Sequence, residues 1–262
     1  LVHLMKRRGG VGLDISTLRF SGAITSNTAK SSTGATSFMS RFSNSTNEVA
    51  QNGRRGALML SMHCNHIDIL DFIHKKIDNK SISGANISVK FTNEFMDSVI
   101  QNKDHILRFP YDADIKGLGR KANLAEYNEL IEHDNGIFTK RVKAAEAKSA
   151  WTCADPGQLF EDIHHEYSPD SVYAQYRGVT TNPCGEIFMQ AFDACRLIAQ
   201  NLLKCVSNPY TAHANINYDR LFEVSKEVQI INDIIVDLEI VEIKKIIDKI
   251  KSDPEDKKVK RT

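Results

Sequence analysis

The sequence contains no apolar run approaching the ~20 residues needed to cross a bilayer. Its N-terminus, Leu1-Val2-His3-Leu4-Met5-Lys6-Arg7-Arg8, lacks the charged-then-apolar order of a signal peptide. Membrane insertion and export are therefore not expected, and a cytoplasmic location is. Net charge is nearly absent: 34 Lys+Arg against 33 Asp+Glu leave +1, which gives no reason to expect a nucleic-acid backbone or an acidic membrane as partner. The basic run from Lys257 to Arg261 stands at the very end and reads as a solvated tail. No GxGxxG fingerprint occurs, so the glycines are not those of a dinucleotide site. No CxxC pair occurs, which leaves a simple dithiol redox protein without a motif. Five cysteines is an odd number, and in a cytosolic chain it argues against a fixed disulfide framework. His63, Cys64 and His66 lie close together, but their spacing matches no standard metal site and no second ligand pair follows, so no metal is expected.

What is present is an ordinary globular composition, 41% hydrophobic and 26% charged, in a chain long enough for one large α/β domain or two smaller ones. Arg7-Arg8-Gly9-Gly10-Val11-Gly12-Leu13-Asp14 reads as a glycine-rich turn entering a short strand. Residues 21–37, rich in Ser, Thr, Gly and Ala, are expected to be a loop. A helix with Phe38, Met39 and Phe42 on one face runs to about Val49. A second glycine-bounded loop, Ala50 to Gly56, carries Arg54 and Arg55, and planar guanidinium groups beside glycine suit a phosphate or base contact as well as a solvated turn. Ala57 to Met62 is a continuous apolar run of strand length and Ala85 to Lys90 alternates, so both are expected to be strands. Helices are expected from Asp68 to Lys76, after a Thr92 cap with Phe95, Met96, Val99 and Ile100 inward, and from Val142 to Trp151. Residues 104–135 read as a variable excursion. Two further helices are expected. One, from Ala194 to Cys205, would turn Leu197, Ile198, Asn201, Leu202 and Cys205 inward. The other, Asp219 to Lys251, would bury its apolar face as core, with a break near Glu239 to Glu242.

One short stretch concentrates chemistry. Thr180-Thr181-Asn182-Pro183-Cys184-Gly185-Glu186 places an amide, a thiol and a carboxylate at alternate positions. In an extended segment, residues two apart share a face, so Asn182, Cys184 and Glu186 are expected to project into one small volume. A buried cysteine in a Pro/Gly turn would produce the same letters.

Seven stretches, taken in order, fit one family. They are Arg8-Gly9-Gly10-Val11-Gly12 with Leu18-Arg19; Ser32-Thr33-Gly34 with Phe38-Met39; Gln51 to Ala57; Gly84 to Val89; Pro156-Gly157 with Phe160; Thr181 to Glu186; and Cys195-Arg196-Leu197. Together they make the chain resemble the catalytic (large) subunit of ribonucleotide reductase, and Asn-Pro-Cys-Gly-Glu is most similar to the adenosylcobalamin-dependent class II branch. A class I large subunit, which needs a metal-containing radical subunit, is the nearer alternative, and a catalytically silent nucleotide-binding fragment is another. Phe20 replaces the family's usual proline, and Asn65-His66-Ile67-Asp68 stands where His-Pro-Asp is typical.

The resemblance implies an α/β fold, part of a ten-stranded α/β barrel with the reactive cysteine on an internal finger loop. Residues 1–262 would form a partial barrel domain: 1–103 the Gly-rich loops and first strands and helices, 104–135 the excursion, 136–262 the finger loop and a helical segment. It also implies reduction of ribonucleoside di- or triphosphates, with Cys184 as the thiyl-radical position, Asn182 holding the ribose hydroxyls, Glu186 as base at the 3′-hydroxyl, and Cys195 as one half of a redox pair. Ser32, Thr33 and Gly34 would belong to a first specificity loop near a nucleotide effector, a dNTP or ATP. Gln51, Arg54 and Arg55 would belong to a second. Adenosylcobalamin as cofactor, a thioredoxin- or glutaredoxin-type reductant and a homodimer follow in the same way. Because the partner cysteine and a phosphate loop lie elsewhere in the family, an internal fragment, inactive alone, is expected.

Overall fold

A computed structural model describes residues 1–6, 9–26, 29–49, 56–77, 81–103, 105, 107–112 and 138–252. Gln51, Arg54, Arg55, most of the excursion and the basic tail lie outside them. The chain divides into two compact units, Leu1–Ala194 and Cys195–Thr262.

The first unit is mixed α/β, built on a four-stranded parallel sheet. In chain order its elements are α1 (Val2–Lys6), β1 (Val11–Asp14), β2 (Ser21–Ile24), β3 (Ser31–Thr33), α2 (Ser37–Glu48), β4 (Leu58–His63), α3 (Ile69–His74), β5 (Asn86–Phe91), α4 (Asn93–Ile100), α5 (Phe138–Cys153), β6 (Gly157–Phe160), α6 (Glu161–Tyr167), β7 (Thr180–Thr181) and β8 (Phe188–Met189). The sheet order is β1-β4-β5-β6. Between consecutive sheet strands the chain passes through helices, as parallel pairing requires.

Strand register gives this sheet two different faces. Val11 pairs with Leu58, Leu13 with Leu60 and Leu60 with Ile87, while Met62 pairs with Val89 and Phe91 with Phe160. That apolar face meets the helices: Met39, Ile69, Phe72, Ile73, Phe95 and Val142 are fully buried against it. Each such large apolar side chain contributes roughly 1.5–3 kcal/mol by leaving water. The alternate positions carry Gly12, Met59 and Asn86 in one row, Asp14, Ser61 and Ser88 in the next, and His63 with Lys90 beyond. Apart from Met59 this second face is polar or bare, and the candidate site lies on it.

Several expectations change here. Residues 21–37 hold the antiparallel pair β2–β3, pinned because the Asp68 carboxylate accepts from Ser21 N at 3.0 Å and Ala35 N at 2.9 Å. Small polar residues hid a hairpin whose order comes from a carboxylate distant in sequence. Thr92 does cap α4, accepting from Phe95 N at 3.2 Å, but Ile100 at the helix end is 78% exposed. Leu159 and Phe160 lie in a strand that periodicity did not suggest, and Ile163 is exposed.

The second unit differs more. Residues 194–201 form no helix; only Leu202–Cys205 makes a 3-10 turn, and Leu197 and Leu202 are exposed while Cys205 is buried. Asn201 caps this turn, accepting from Leu203 N at 3.1 Å, so the amide counted on an inner helical face instead starts a new element. β9 (Val206–Ser207) pairs antiparallel with β10 (Asn215–Ile216), and Asn217 Oδ1 accepts from Arg220 N at 2.9 Å to start α7 (Tyr218–Ser252). This helix runs unbroken for 35 residues, about 50 Å, with no break at Glu239–Glu242. None of its described residues is buried; Ile231, Ile234, Leu238 and Ile246 stand open. The apolar face expected as core is exposed, because the few short elements of the unit are too small to cover such a length.

Replacing Leu60, fully buried mid-sheet, by Ala should cost about 2–5 kcal/mol in urea unfolding. Ile100→Ala should cost less than about 0.5 kcal/mol. Equal losses at the two positions would contradict the burial described.

Candidate active site

Asn182, Cys184 and Glu186 lie on the turn of the β7–β8 hairpin. The stem is closed by Val179 N donating to Met189 O at 2.8 Å and Asn182 N to Ile187 O at 3.2 Å. Gly185 takes φ +87°, a left-handed conformation that glycine adopts without strain, and its N–H donates to Asn182 O at 3.1 Å. The segment is therefore a tight turn, and the alternation of an extended strand does not apply to it. The amide and carboxylate meet nevertheless: Asn182 Nδ2 donates to Glu186 Oε1 at 2.7 Å, and Asn182 Oδ1 accepts from Ile187 N at 3.2 Å. Asn182 is buried, whereas Glu186 and Cys184 are exposed. The turn thus fixes a hydrogen-bond donor to a carboxylate, with an open thiol between them in sequence.

The hairpin lies along the bare face of the sheet. A Cβ on Gly12 would overlap the Thr181 carbonyl oxygen, and one on Gly10 would overlap the Pro183 ring. Glycine at these positions is a packing requirement, which explains the glycine-rich entry to β1. Thr180 Oγ1 and Ser61 Oγ share a hydrogen bond at 2.8 Å, and Asn86 Nδ2 donates to Pro183 O at 2.9 Å. From the other side, His164 stacks on Phe188 with ring centroids 4.9 Å apart, and His165 Nε2 lies 3.0 Å from Gly178 O.

At the carboxyl ends of the parallel strands sits a buried charge cluster. Lys90 Nζ donates to Asp14 Oδ2 at 2.7 Å, Glu161 Oε1 at 3.3 Å and Val179 O at 3.3 Å. An ammonium group has three donors, and each finds an acceptor on a different segment. Burial would lower the Lys90 pKa, but the Asp14 and then the Glu161 charges outweigh it and raise it. Burial would raise Glu161, but the His63 hydrogen bond and the Lys90 charge hold it at about 2. Asp14 also accepts from both the amide and hydroxyl of Ser16, and Ser16 Oγ accepts from His63 N at 2.8 Å.

The two histidines near Cys64 follow one scheme. His63 Nδ1 accepts from Asn65 N at 3.1 Å and His66 Nδ1 from Asp68 N at 3.0 Å. This leaves Nε2 of His63 facing Glu161 at 3.3 Å and Nε2 of His66 facing Leu18 O at 2.9 Å. Burial lowers the His66 pKa and pushes the Cys64 thiol up to about 12. Among the described residues, no group of three or more His, Cys, Asp or Glu side chains could hold a metal ion. No helix among them is long and apolar enough to cross a membrane.

The other sequence candidates fall elsewhere. Cys195 opens the second unit, its thiol 3.7 Å from Arg196 O. Ser32 Oγ accepts from Gly34 N at 3.1 Å, and Thr33 Oγ1 and Ser37 Oγ are 2.8 Å apart, so these hydroxyls are engaged in shaping the turn into α2. Asp14, Lys90, Glu161 and Asn86 were not singled out from the sequence, and His63 was weighed only as a metal ligand. A lysine on one side of an alternating strand, Asn86-Ile87-Ser88-Val89-Lys90, was the available signal.

A family model described as "Ribonucleotide reductase, barrel domain" matches residues 1–253. The chain is 33% identical over 230 residues to the Vitamin B12-dependent ribonucleoside-diphosphate reductase of Thermoplasma acidophilum, covering 85% of this chain and 26% of that protein. It is 30% identical to the protein of the same name from Mycobacterium tuberculosis, covering 89% and 30%. To the Vitamin B12-dependent ribonucleotide reductase of Streptomyces avermitilis it is 28% identical, covering 84% and 23%. The chain thus spans about a quarter to a third of the length of the curated relatives it matches.

Two measurements test this arrangement. Gly12→Ala should cost about 1–3 kcal/mol through overpacking against Thr181, read by urea unfolding; an unchanged midpoint would mean that the hairpin does not lie on β1. His105, next to the histidine pair, is buried with its Nε2 2.6 Å from Asn65 Oδ1, and burial holds it at about 4 against an ordinary value near 6.5. The unfolded chain therefore takes up this proton first, and the stability involved is complete above about pH 6.5 and lost down to about 4. Glu161 extends the loss from about 4.5 to 2. Tm should fall as pH drops from 7 to 4.5, and a rising Tm would contradict this.

Proposed function

The chain belongs to the ribonucleotide reductase barrel-domain family, and from that premise we propose that it carries part of the centre that reduces ribonucleotides to 2′-deoxyribonucleotides. The observation that carries this reading is the Asn182–Glu186 hydrogen bond on the turn that bears the exposed Cys184. In this reading the parallel sheet is part of a ten-stranded α/β barrel and the hairpin is its finger loop.

Each residue then has a distinct task. The Cys184 sulfur, as a thiyl radical, takes the ribose 3′-hydrogen, an exchange nearly balanced because the S–H and C3′–H bonds are close in strength. Asn182 holds the ribose hydroxyls. Glu186 accepts the 3′-hydroxyl proton, a thiol of the reducing cysteine pair protonates the 2′-hydroxyl so that it leaves as water, and Cys184 finally returns its hydrogen atom to C3′, which restores the thiyl radical. A cysteine pair that includes Cys195 supplies two electrons and becomes a disulfide, which a thioredoxin- or glutaredoxin-type reductant reopens. The bond from Asn182 suits this role for Glu186, since it fixes one carboxylate oxygen and leaves the other for substrate.

The relatives named Vitamin B12-dependent favour adenosylcobalamin over a radical subunit. When bound, that cofactor supplies the radical. The chain fits it in one respect, a thiol exposed at a turn tip where a generator outside the hairpin can reach it. A dNTP or ATP effector near Ser32, Thr33 and Gly34, base reading by Gln51, Arg54 and Arg55, and a homodimer belong to the same proposal.

The polypeptide carrying these residues should convert CDP or CTP to the deoxynucleotide only with adenosylcobalamin. Cys184→Ser should abolish product while effector binding persists, and Glu186→Gln should lower kcat by ~10²–10⁴. Turnover in Cys184→Ser would refute the radical role; cobalamin-independent turnover needing a second subunit would replace class II by class I.

A further inference from the structure

The hairpin touches β5 at two points, and their numbering shows a pattern. Lys90 Nζ donates to Val179 O and Asn86 Nδ2 donates to Pro183 O. Four residues separate the two anchors on β5, and four separate the two carbonyls on the hairpin, in the reverse direction. The interval on β5 spans roughly 13 Å of extended chain. Asn86 and Lys90 point to the same face because they are an even number apart. The first arm of the hairpin is thus matched antiparallel to β5 through side chains, with no backbone ladder between them. Between the anchors, Thr180 is fixed by Ser61 and Thr181 rests on Gly12.

The two anchors differ in character. Lys90 is buried and fully engaged by Asp14 and Glu161 as well as by Val179, so it sets the base of the arm as part of the fold. Asn86 is exposed and makes its hydrogen bond near the tip. The carbonyl it holds belongs to the peptide unit that Pro183 shares with Cys184. We propose that Asn86 is a positioning residue: by holding that peptide unit against β5 it sets the height of the Cys184 sulfur over the sheet. Without it the arm is fixed at Lys90 and Ser61 but its last two residues are free to lift, and the Asn182–Glu186 pair lifts with them. The role in turnover rests on the reading of Cys184 as the reacting thiol; the mechanical role does not.

Two substitutions separate these parts. Asn86→Ala removes the side chain, and Asn86→Asp keeps its size but replaces the N–H donor with an oxygen that cannot donate to Pro183 O. Because the side chain is exposed, both variants should fold with the wild-type far-UV circular dichroism. In hydrogen-exchange mass spectrometry, the hydrogen-bonded amides of Asn182, Gly185 and Ile187 should exchange about tenfold faster in both, the effect of one lost hydrogen bond, while peptides from β4 and the rest of β5 stay unchanged. In the polypeptide carrying this chain, kcat for deoxynucleotide formation should fall about 10- to 100-fold with KM within about twofold. Wild-type exchange in both variants would overturn the proposal, as would a full effect in Asn86→Ala with none in Asn86→Asp, which would assign the role to volume. Faster local exchange together with an inactive wild type would keep the clamp and remove the reductase reading.

Discussion

The first unit depends on a single buried ammonium group. Taking Lys90 out of water carries a penalty of several kcal/mol, offset here because Asp14 and Glu161 supply opposite charge and a third acceptor, Val179 O, completes its hydrogen bonding. Those acceptors come from the end of β1, the start of α6 and the chain entering β7. One side chain therefore fastens three segments that share no backbone hydrogen bonds at that point. The cluster gathers at the carboxyl ends of parallel strands, where open α/β sheets leave their functional crevices.

A sheet with one apolar and one polar face is what allows the turn that carries Cys184 to be held in place. The apolar face contributes the stability, with helices packed on alternating Val, Leu, Ile, Met and Phe. The other face is cleared by Gly10 and Gly12, so that a hairpin can lie flat where side chains would otherwise stand. A thiol on a mobile loop could not be kept near a chosen carbon atom, since placement within a fraction of an ångström is what converts proximity into rate. Here the turn is closed on itself by Asn182, and its hairpin is braced against three strands, β1, β4 and β5. The rigid scaffold and the open thiol are two consequences of the same packing.

Much of this was legible in the letters. The parallel strands at Leu58 and Asn86, the helices α2, α3 and α4 and the Thr92 cap all follow from local periodicity and capping. Legibility failed where order comes from distant partners. Residues 21–37 look like a loop because their hairpin is pinned by Asp68, far along the chain. Residues 194–205 carry apolar letters at helical spacing, yet Asn201 starts a short turn and Leu197 is left outside. Met59 and Ser61 read as part of a continuous apolar run, and only the register against Asn86 and Ser88 separates the two faces.

The sequence by itself determined β4, β5, α2, α3 and α4, because each depends on neighbours within a few positions, and it placed an amide, a thiol and a carboxylate close together in the chain. It could not determine which carboxylate would neutralise Lys90, which strand would receive the hairpin, or that the apolar side of α7 would remain uncovered. The first two depend on pairings between residues 70 or more positions apart, such as Asp14 with Lys90, Ser61 with Thr180 and Gly12 with Thr181. Local propensity carries no information about such pairings. They are set when the folded chain matches charge to charge and bare backbone to bare backbone.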